Sequence, residues 1–194
     1  MLMSEFIQMR IKNWHSPDKN RDKLYDLKLK NRKLHLKVII YTDGAARGNP
    51  GKGGYGAVLI FGKHQKELSA GYRLTTNNRM ELMAVKAALE ALTKDNLEID
   101  IYTDRKYVMD AFEKNWIYGW QKKGFKNIKN PDLWRPLIAL YNKHVIKFNW
   151  VRGHTGNVMN ERCDILATEA ADGGGLLIDK GYEDSLKEDK SGLV

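Results

Sequence analysis

The chain is short of the features that would cross-link it or anchor it in a bilayer. Its 194 residues contain one cysteine, Cys163, so no internal disulfide can form and a reducing compartment is expected. Cys163 sits beside Ile165 and Leu166 in a helical pattern, which reads as a buried structural thiol rather than a nucleophile. No N-terminal apolar run resembles a signal peptide, and no stretch approaches the length of a membrane span. A cytoplasmic location without a membrane partner is therefore expected. Internal repeats and heptads are absent too. Acidic residues are the minority charge: 24 stand against 33 basic ones, giving a net charge of +9 and a pI near 9.5. That excess favours a polyanionic partner such as nucleic acid, with an anionic membrane surface or plainly solvated lysines as the other readings. Hydrophobic residues at 42% and charged ones at 29% are ordinary for a soluble globular protein.

The length suits one domain with an extension. Residues 1–33 form a basic N-terminal extension, polar and aperiodic around Ser16 to Lys23, and are read as an arm or a disordered tail. Tyr25, Leu27 and Leu29 mark a short strand or a docked arm. Residues 34–171 carry the regular patterns. Leu34, Leu36, Val38 and Ile40 alternate as a first strand; Gly53 to Phe61 and Glu67 to Leu74 follow as hairpin strands. A helix is expected from Arg79 to Lys94, with Leu82, Val85, Leu89 and Leu92 on one face. Leu97 to Thr103 is a strand, Arg105 to Gln121 and Leu133 to Lys143 are helical, Val145 to Val151 is a last strand and Asn160 to Ala171 a last helix. Residues 172–194 open on three glycines and read as a C-terminal tail that docks at most partly. Together these patterns describe an α/β protein, a mixed sheet covered by helices.

Acidic residues recur at four separated points: Asp43, Glu81, Asp104 and Asp164. Each has an ordinary reading. Asp43 with Gly44 is a turn signal, Glu81 completes a capping box from Asn78, Asp104 caps the next helix, and Asp164 is a solvated carboxylate. As a set they suit a site for hard divalent cations, since carboxylate oxygens match Mg²⁺ or Mn²⁺. A glycine pattern offers a competing lead. Gly51, Gly53 and Gly56 fit the G-x-G-x-x-G fingerprint, but AVLIF follows as a strand where a dinucleotide site needs a helix N-terminus. The glycines are read as hairpin and packing residues, and no nucleotide cofactor is expected.

Five stretches settle the pattern: YTDGAARGNPGKGGYGAVL (Tyr41 to Leu59), TTNNRMELMAV (Thr75 to Val85), YTDRKYV (Tyr102 to Val108), NPDLW (Asn130 to Trp134) and WVRGHTGNVMNERCDILA (Trp150 to Ala167). Their sequence and order resemble the ribonuclease H family, type 1, from about Leu34 to Tyr182. The resemblance implies a ribonuclease H-like fold, with a mixed five-stranded sheet flanked by helices. It implies an endonuclease that cleaves the RNA strand of RNA–DNA hybrids, leaving a 5′-phosphate and a 3′-hydroxyl. It makes Asp43, Glu81, Asp104 and Asp164 the ligands of two Mg²⁺ ions (Mn²⁺ as a substitute), and places His154 beside the scissile phosphate. Asn49, Asn77 and Asn78 match positions facing RNA; Thr76 and Asn130 match a pocket for a DNA phosphate. The segment Asn115 to Asn127 resembles a basic protrusion, in which Trp116, Trp120, Lys122 and Lys123 would hold the hybrid. The alternative there is that both tryptophans are core residues. A monomer is expected.

The chain departs from the family pattern in Arg105 and Lys106, where serine and glutamine are frequent, and in its N-terminal extension. Two rivals remain open on the sequence: a resolvase- or transposase-type nuclease of the same fold, and a catalytically silent hybrid-binding module.

Overall fold

The computed structural model describes residues 37–153 and 155–191. The expectations for residues 1–33, for Leu34 and Leu36, and for His154 lie outside the described residues. Within them, five strands form one sheet: β1 (Val38–Gly48), β2 (Gly51–Phe61), β3 (His64–Thr75), β4 (Glu98–Thr103) and β5 (Val145–Trp150), in the order β3-β2-β1-β4-β5. The first three are an antiparallel meander, while β4 and β5 run parallel to β1. Parallel neighbours need crossovers, and helices supply them. Those helices are α1 (Asn77–Glu90), between β3 and β4, then α2 (Lys106–Glu113), α3 (Trp116–Lys122) and α4 (Pro131–Tyr141), between β4 and β5. After β5 come α5 (Val158–Asp172) and α6 (Lys180–Ser191).

Both faces of the sheet are covered. On one, Val38, Ile40, Ala57, Leu59, Ile99 and Ile101 meet Leu82, Val85 and Leu89 of α1 and Leu133, Trp134 and Leu137 of α4 in the larger core. Trp134 is fully buried, ringed by Tyr107, Phe112 and Trp120. On the other face Val58 packs with Cys163 and Leu166 of α5. That burial pushes the Cys163 thiol up to about 12, so the thiol is inert packing as its neighbours suggest. Glycines decide how closely α5 approaches. A Cβ at Gly54, Gly56 or Gly71 would overlap the backbone oxygen of Ala167, Cys163 or Ala170. The G-x-G-x-x-G pattern is thus partly a helix landing strip across β2, not a phosphate cradle.

Element bounds differ from the sequence reading in three informative places. β1 does not stop at Asp43; it stays paired with β2 as far as Gly48 opposite Gly51, because β2 offers a partner that outweighs the Asp-Gly turn signal. The helical stretch expected over Arg105 to Gln121 is two helices, separated where Asn115 adopts a left-handed conformation at φ 58°. The capping box from Asn78 is absent. Thr76 caps α1 instead, its hydroxyl accepting from the Arg79 N–H, and Asn78 is already helical.

The stretch after Asp172 docks more fully than its composition suggests. Leu177 exchanges backbone hydrogen bonds with Arg73 and Gly71 of β3, and Glu183 forms a bidentate pair with Arg73. Asp179 is buried and accepts two bonds from Arg79, at 2.6 and 2.7 Å. Arg79 also donates twice to Asp132, so one buried guanidinium ties α1, α4 and the C-terminal segment together. Removing one partner of a buried pair leaves an uncompensated charge. Asp179→Ala should therefore destabilise the protein by about 3–5 kcal/mol. Asp132→Ala should cost much less, because Asp132 remains 39% exposed. Urea unfolding of both variants measures this; equal losses would show that burial does not set the strength of the network.

Candidate active site

Strands β1 and β4 run parallel in register from Val38 opposite Ile99 to Tyr41 opposite Tyr102. The Tyr41 and Tyr102 rings stack there, with centroids 4.7 Å apart. Beyond that pair the ladder ends. β4 stops at Thr103 and β1 continues with β2 alone. Asp43 and Asp104 each lie two residues past the last paired tyrosines, at the carboxyl ends of parallel strands where α/β sheets place their sites.

Helices bring the other two carboxylates to this crevice. Gly44 allows α1 to close on β1: a Cβ there would stand 2.5 Å from the Glu81 nitrogen and 2.8 Å from the Met80 Cβ. The close approach carries Glu81 in beside Asp43. On the opposite face Gly56, the partner of Asp43 in the β1–β2 ladder, admits α5 and with it Asp164, which is half-buried. Asp43, Asp104 and Glu81 are each braced by their surroundings. The Gly44 N–H donates to Asp43 Oδ1 at 2.8 Å, and the Trp150 indole N–H donates to the Asp104 carbonyl at 3.0 Å. Asn77 Nδ2 donates to Glu81 Oε1 at 2.6 Å. Gly153 lies against the Asp104 carboxylate, where a Cβ would come within 2.6 Å of Oδ2.

The carboxylates repel one another in a poorly solvated place. Burial, then the charge of Asp104, push the Asp43 carboxyl up to about 7, with Asp164 adding to the effect. Burial pushes Glu81 up to about 8 against the pull of Arg105, and Asp43 and Asp104 raise it further. Two oxygens in this crevice, Glu81 Oε2 and Asp104 Oδ1, are buried without a hydrogen-bond partner. Among the described residues no three acidic, histidine or cysteine side chains close into a finished ligand cage. The set consists of convergent carboxylates with unsatisfied oxygens, and those hard donors suit a hard divalent cation.

The polar positions singled out by the sequence lie in two groups. The Asn49 side-chain oxygen accepts from the Asn77 N–H at 3.3 Å, and Asn78 is exposed beside them. Thr76 and Asn130 are the N-caps of α1 and α4. Arg79 joins them: its backbone N–H reaches the Thr76 hydroxyl, and its Nη1 donates to Asn130 Oδ1 at 3.3 Å. The protrusion lies elsewhere. There a groove of about 640 Å³ is lined by Trp116, Trp120, Lys123 and Lys126 among others. The two tryptophans differ in burial. Trp120 packs edge-on against Trp134 at 5.0 Å, whereas Trp116 is 46% exposed. Lys122 and Lys123 are exposed.

Comparison with known proteins identifies the family. The RNase H family model matches residues 35–172, which include all four carboxylates. The chain belongs to the RNase H family. It is 53% identical over 159 residues to a ribonuclease H of Lachnoclostridium phytofermentans, covering 76% of this chain and all of that protein. A ribonuclease H of Syntrophus aciditrophicus is also 53% identical, over 75% of this chain and 86% of its own length. Among solved structures, LC9-RNase H1, a type 1 RNase H with the type 2 active-site motif, aligns with a TM-score of 0.63. That match has 29% identity and covers 76% of this chain and 79% of the other. LC11-RNase H1, solved in complex with an RNA/DNA hybrid, aligns with a TM-score of 0.53 at 28% identity, over 70% and 96% of the two chains. The mixed five-stranded sheet is thus an RNase H fold, and the protein is a nuclease of that family.

Several residues around the crevice escaped the sequence reading. Arg79 stands inside the NNRME motif, but its two aspartate partners are 53 and 100 residues away. Trp150, at the end of β5, and Gly153 just beyond it brace Asp104, and only their place in the WVRGHTG motif hinted at it. The raised carboxyls have a consequence for stability. Unfolded, both groups ionise near pH 4; folded, they keep their protons to about 7 and about 8. Stability from this source is present below about pH 4 and is lost as pH rises to about 8. In chelator-treated protein, Asp43→Asn should raise stability at pH 8 by about 1–3 kcal/mol, shrinking towards pH 5. Urea unfolding across that range is the measurement; a difference independent of pH would mean that Asp43 is already ionised at neutral pH.

Proposed function

We propose that this protein hydrolyses the RNA strand of RNA–DNA hybrids, leaving 5′-phosphate and 3′-hydroxyl ends. Asp43, Glu81, Asp104 and Asp164 would hold two Mg²⁺ ions, or Mn²⁺ in their place. The observation that carries the reading is the crevice itself: four carboxylates brought together from four elements, with Glu81 Oε2 buried and unpartnered. A pair of divalent ions would supply an activated water and stabilise charge on the departing oxygen.

The protein's own contribution is to hold and to choose. Asn77 fixes Glu81, the Gly44 N–H fixes Asp43, and Trp150 fixes the backbone at Asp104, so little reorganises when substrate arrives. Because Asn49 and Asn77 are hydrogen-bonded together with Asn78 adjacent, they form a polar edge next to Glu81 suited to reading a 2′-hydroxyl. Thr76 and Asn130 would take a phosphate of the DNA strand, and the protrusion would track its backbone. Neither group offers base-reading geometry, which supports weak sequence preference. His154, matched by motif to the family's histidine, would assist proton transfer or product departure. The protein would act as a monomer in the cytoplasm.

A substrate panel tests the reading. Hybrid, double-stranded RNA and double-stranded DNA are incubated with Mg²⁺, with Mn²⁺ and with chelator, using the parent and Asp43→Asn. Cleavage confined to the RNA of the hybrid, lost on chelation and reduced by Asp43→Asn by well over tenfold, is expected; tenfold corresponds to only about 1.4 kcal/mol of barrier. Hybrid bound but left intact by the parent under all conditions would favour a silent binding module instead.

The exposed lysines of the protrusion should serve binding rather than chemistry. Replacing Lys122, Lys123 and Lys126 together with alanine should raise KM with kcat nearly preserved. The dependence of log K on log salt should also flatten, by about 0.9 for each phosphate that is no longer neutralised. If KM and salt slope both stay at parental values, these lysines are a solvated face and the hybrid lies elsewhere.

A further inference from the structure

Arg105 is the first residue after Asp104 and occupies the N-cap position of α2 with an extended backbone (φ −106°, ψ 126°). Its side chain makes no capping hydrogen bond, so it is not committed to the helix. It turns instead towards the crevice, where its Nε stands 3.6 Å from Glu81 Oε1 and 3.7 Å from Asp104 Oδ1. Both separations are ion-pair distances and both exceed a good hydrogen bond. The guanidinium thus neutralises charge without occupying the oxygens. Glu81 Oε1 is already taken by Asn77, while Glu81 Oε2 and Asp104 Oδ1 keep their lone pairs free.

The neighbouring cation shows what commitment looks like. Lys106 Nζ lies over the Trp150 ring, 5.4 Å from its centroid. Arg105, by contrast, is 56% exposed, so moving it outward gives up only field attraction that water largely replaces. A divalent ion on the same oxygens would repel it at this range.

We propose that Arg105 is a resident counter-cation of the carboxylate crevice, which a divalent ion must displace outward, and that it thereby weakens the ion affinity of the free protein. The inference rests on the reading of these carboxylates as the ion site. It makes Arg105 a positioning residue, acting through Glu81 and Asp104 and needing no contact with the reacting atoms.

The test is calorimetric titration of Mn²⁺ into the chelator-stripped, full-length protein without nucleic acid, at low monovalent salt. The parent is compared with Arg105→Gln, which removes the charge, and Arg105→Lys, which retains it. The side chain is exposed and caps nothing, and thermal unfolding of each variant checks that the fold is kept. Arg105→Gln should bind the ion about tenfold more tightly, roughly 1.4 kcal/mol, while Arg105→Lys stays near the parent. The gap should narrow as monovalent salt is raised, because a half-exposed charge is screened. Equal affinities for parent and Arg105→Gln, or an Arg105→Lys variant that matches Arg105→Gln, would overturn the inference and leave the proposed function standing. Asp43→Asn serves as the control for the site. If it titrates like the parent, the ion does not bind at these carboxylates, and both readings fall.

Discussion

Everything around the crevice answers one constraint: carboxylates of like charge are held together, two of them almost out of water. Such a cluster resists ionisation, and the raised Asp43 and Glu81 carboxyls show how strongly. The fold tolerates it by over-determining each position. Gly44 on β1 and Gly56 on β2 let two helices close on the sheet from opposite faces, so Glu81 and Asp164 are carried in by packing and not by their own attraction. The hydrogen bonds from Gly44, Asn77 and Trp150 then fix what packing has delivered. Stability given up at this crevice is the condition for its use. Oxygens that lack partners in the bare protein are those available to a cation.

That division between packing and charge explains the glycine pattern of β2. The same letters, G-x-G-x-x-G, are compatible with a pyrophosphate cradle or with a sheet surface stripped of side chains. What separates the two is the next element. A strand follows Gly56, the chain alternates through Ala57, Val58 and Leu59, and all three are buried. Gly54 and Gly56 then admit the α5 backbone itself. A motif has its meaning only with the geometry that follows it, and here that geometry was readable from the residues alone.

Much of the fold was legible because periodicity and motif agreed. The alternation over Val38 to Ile40 and Leu97 to Thr103, and the helical spacing of Leu82, Val85 and Leu89, translate directly into buried faces. Asp43, Glu81 and Asp104 were legible as a set through their neighbours, since singly each had an ordinary reading. What stayed hidden depended on backbone conformation or on distance along the chain. Asn115 breaks a helix by adopting a left-handed conformation that asparagine permits but does not announce. The Asp43–Gly44 step reads as a turn until β2 is known to lie alongside. The docking of residues beyond Asp172 rests on Asp179 finding Arg79 across 100 residues, which no local pattern encodes.

The Arg79 network also bears on how a phosphate would be held near Thr76 and Asn130. Arg79 touches both, yet its single charge faces two aspartates, so it offers an anion little net attraction. Thr76 and Asn130 are instead the N-caps of α1 and α4, and Arg79 binds the two helix starts together. Each helix start presents the positive end of its dipole, which suits a phosphate, although α4 opens on Pro131, which has no N–H, and carries Asp132 in its first turn. Arg79 acts in this pocket as a rivet, setting the distance and angle between two helix N-termini. Under the proposed function, a phosphate held there would be selected by position, because the influence of a helix dipole fades within a turn while a free guanidinium would follow its target. Such positional selection would suit a DNA-strand contact: a strand held at a fixed offset from the crevice would leave the other strand to be delivered to the carboxylates.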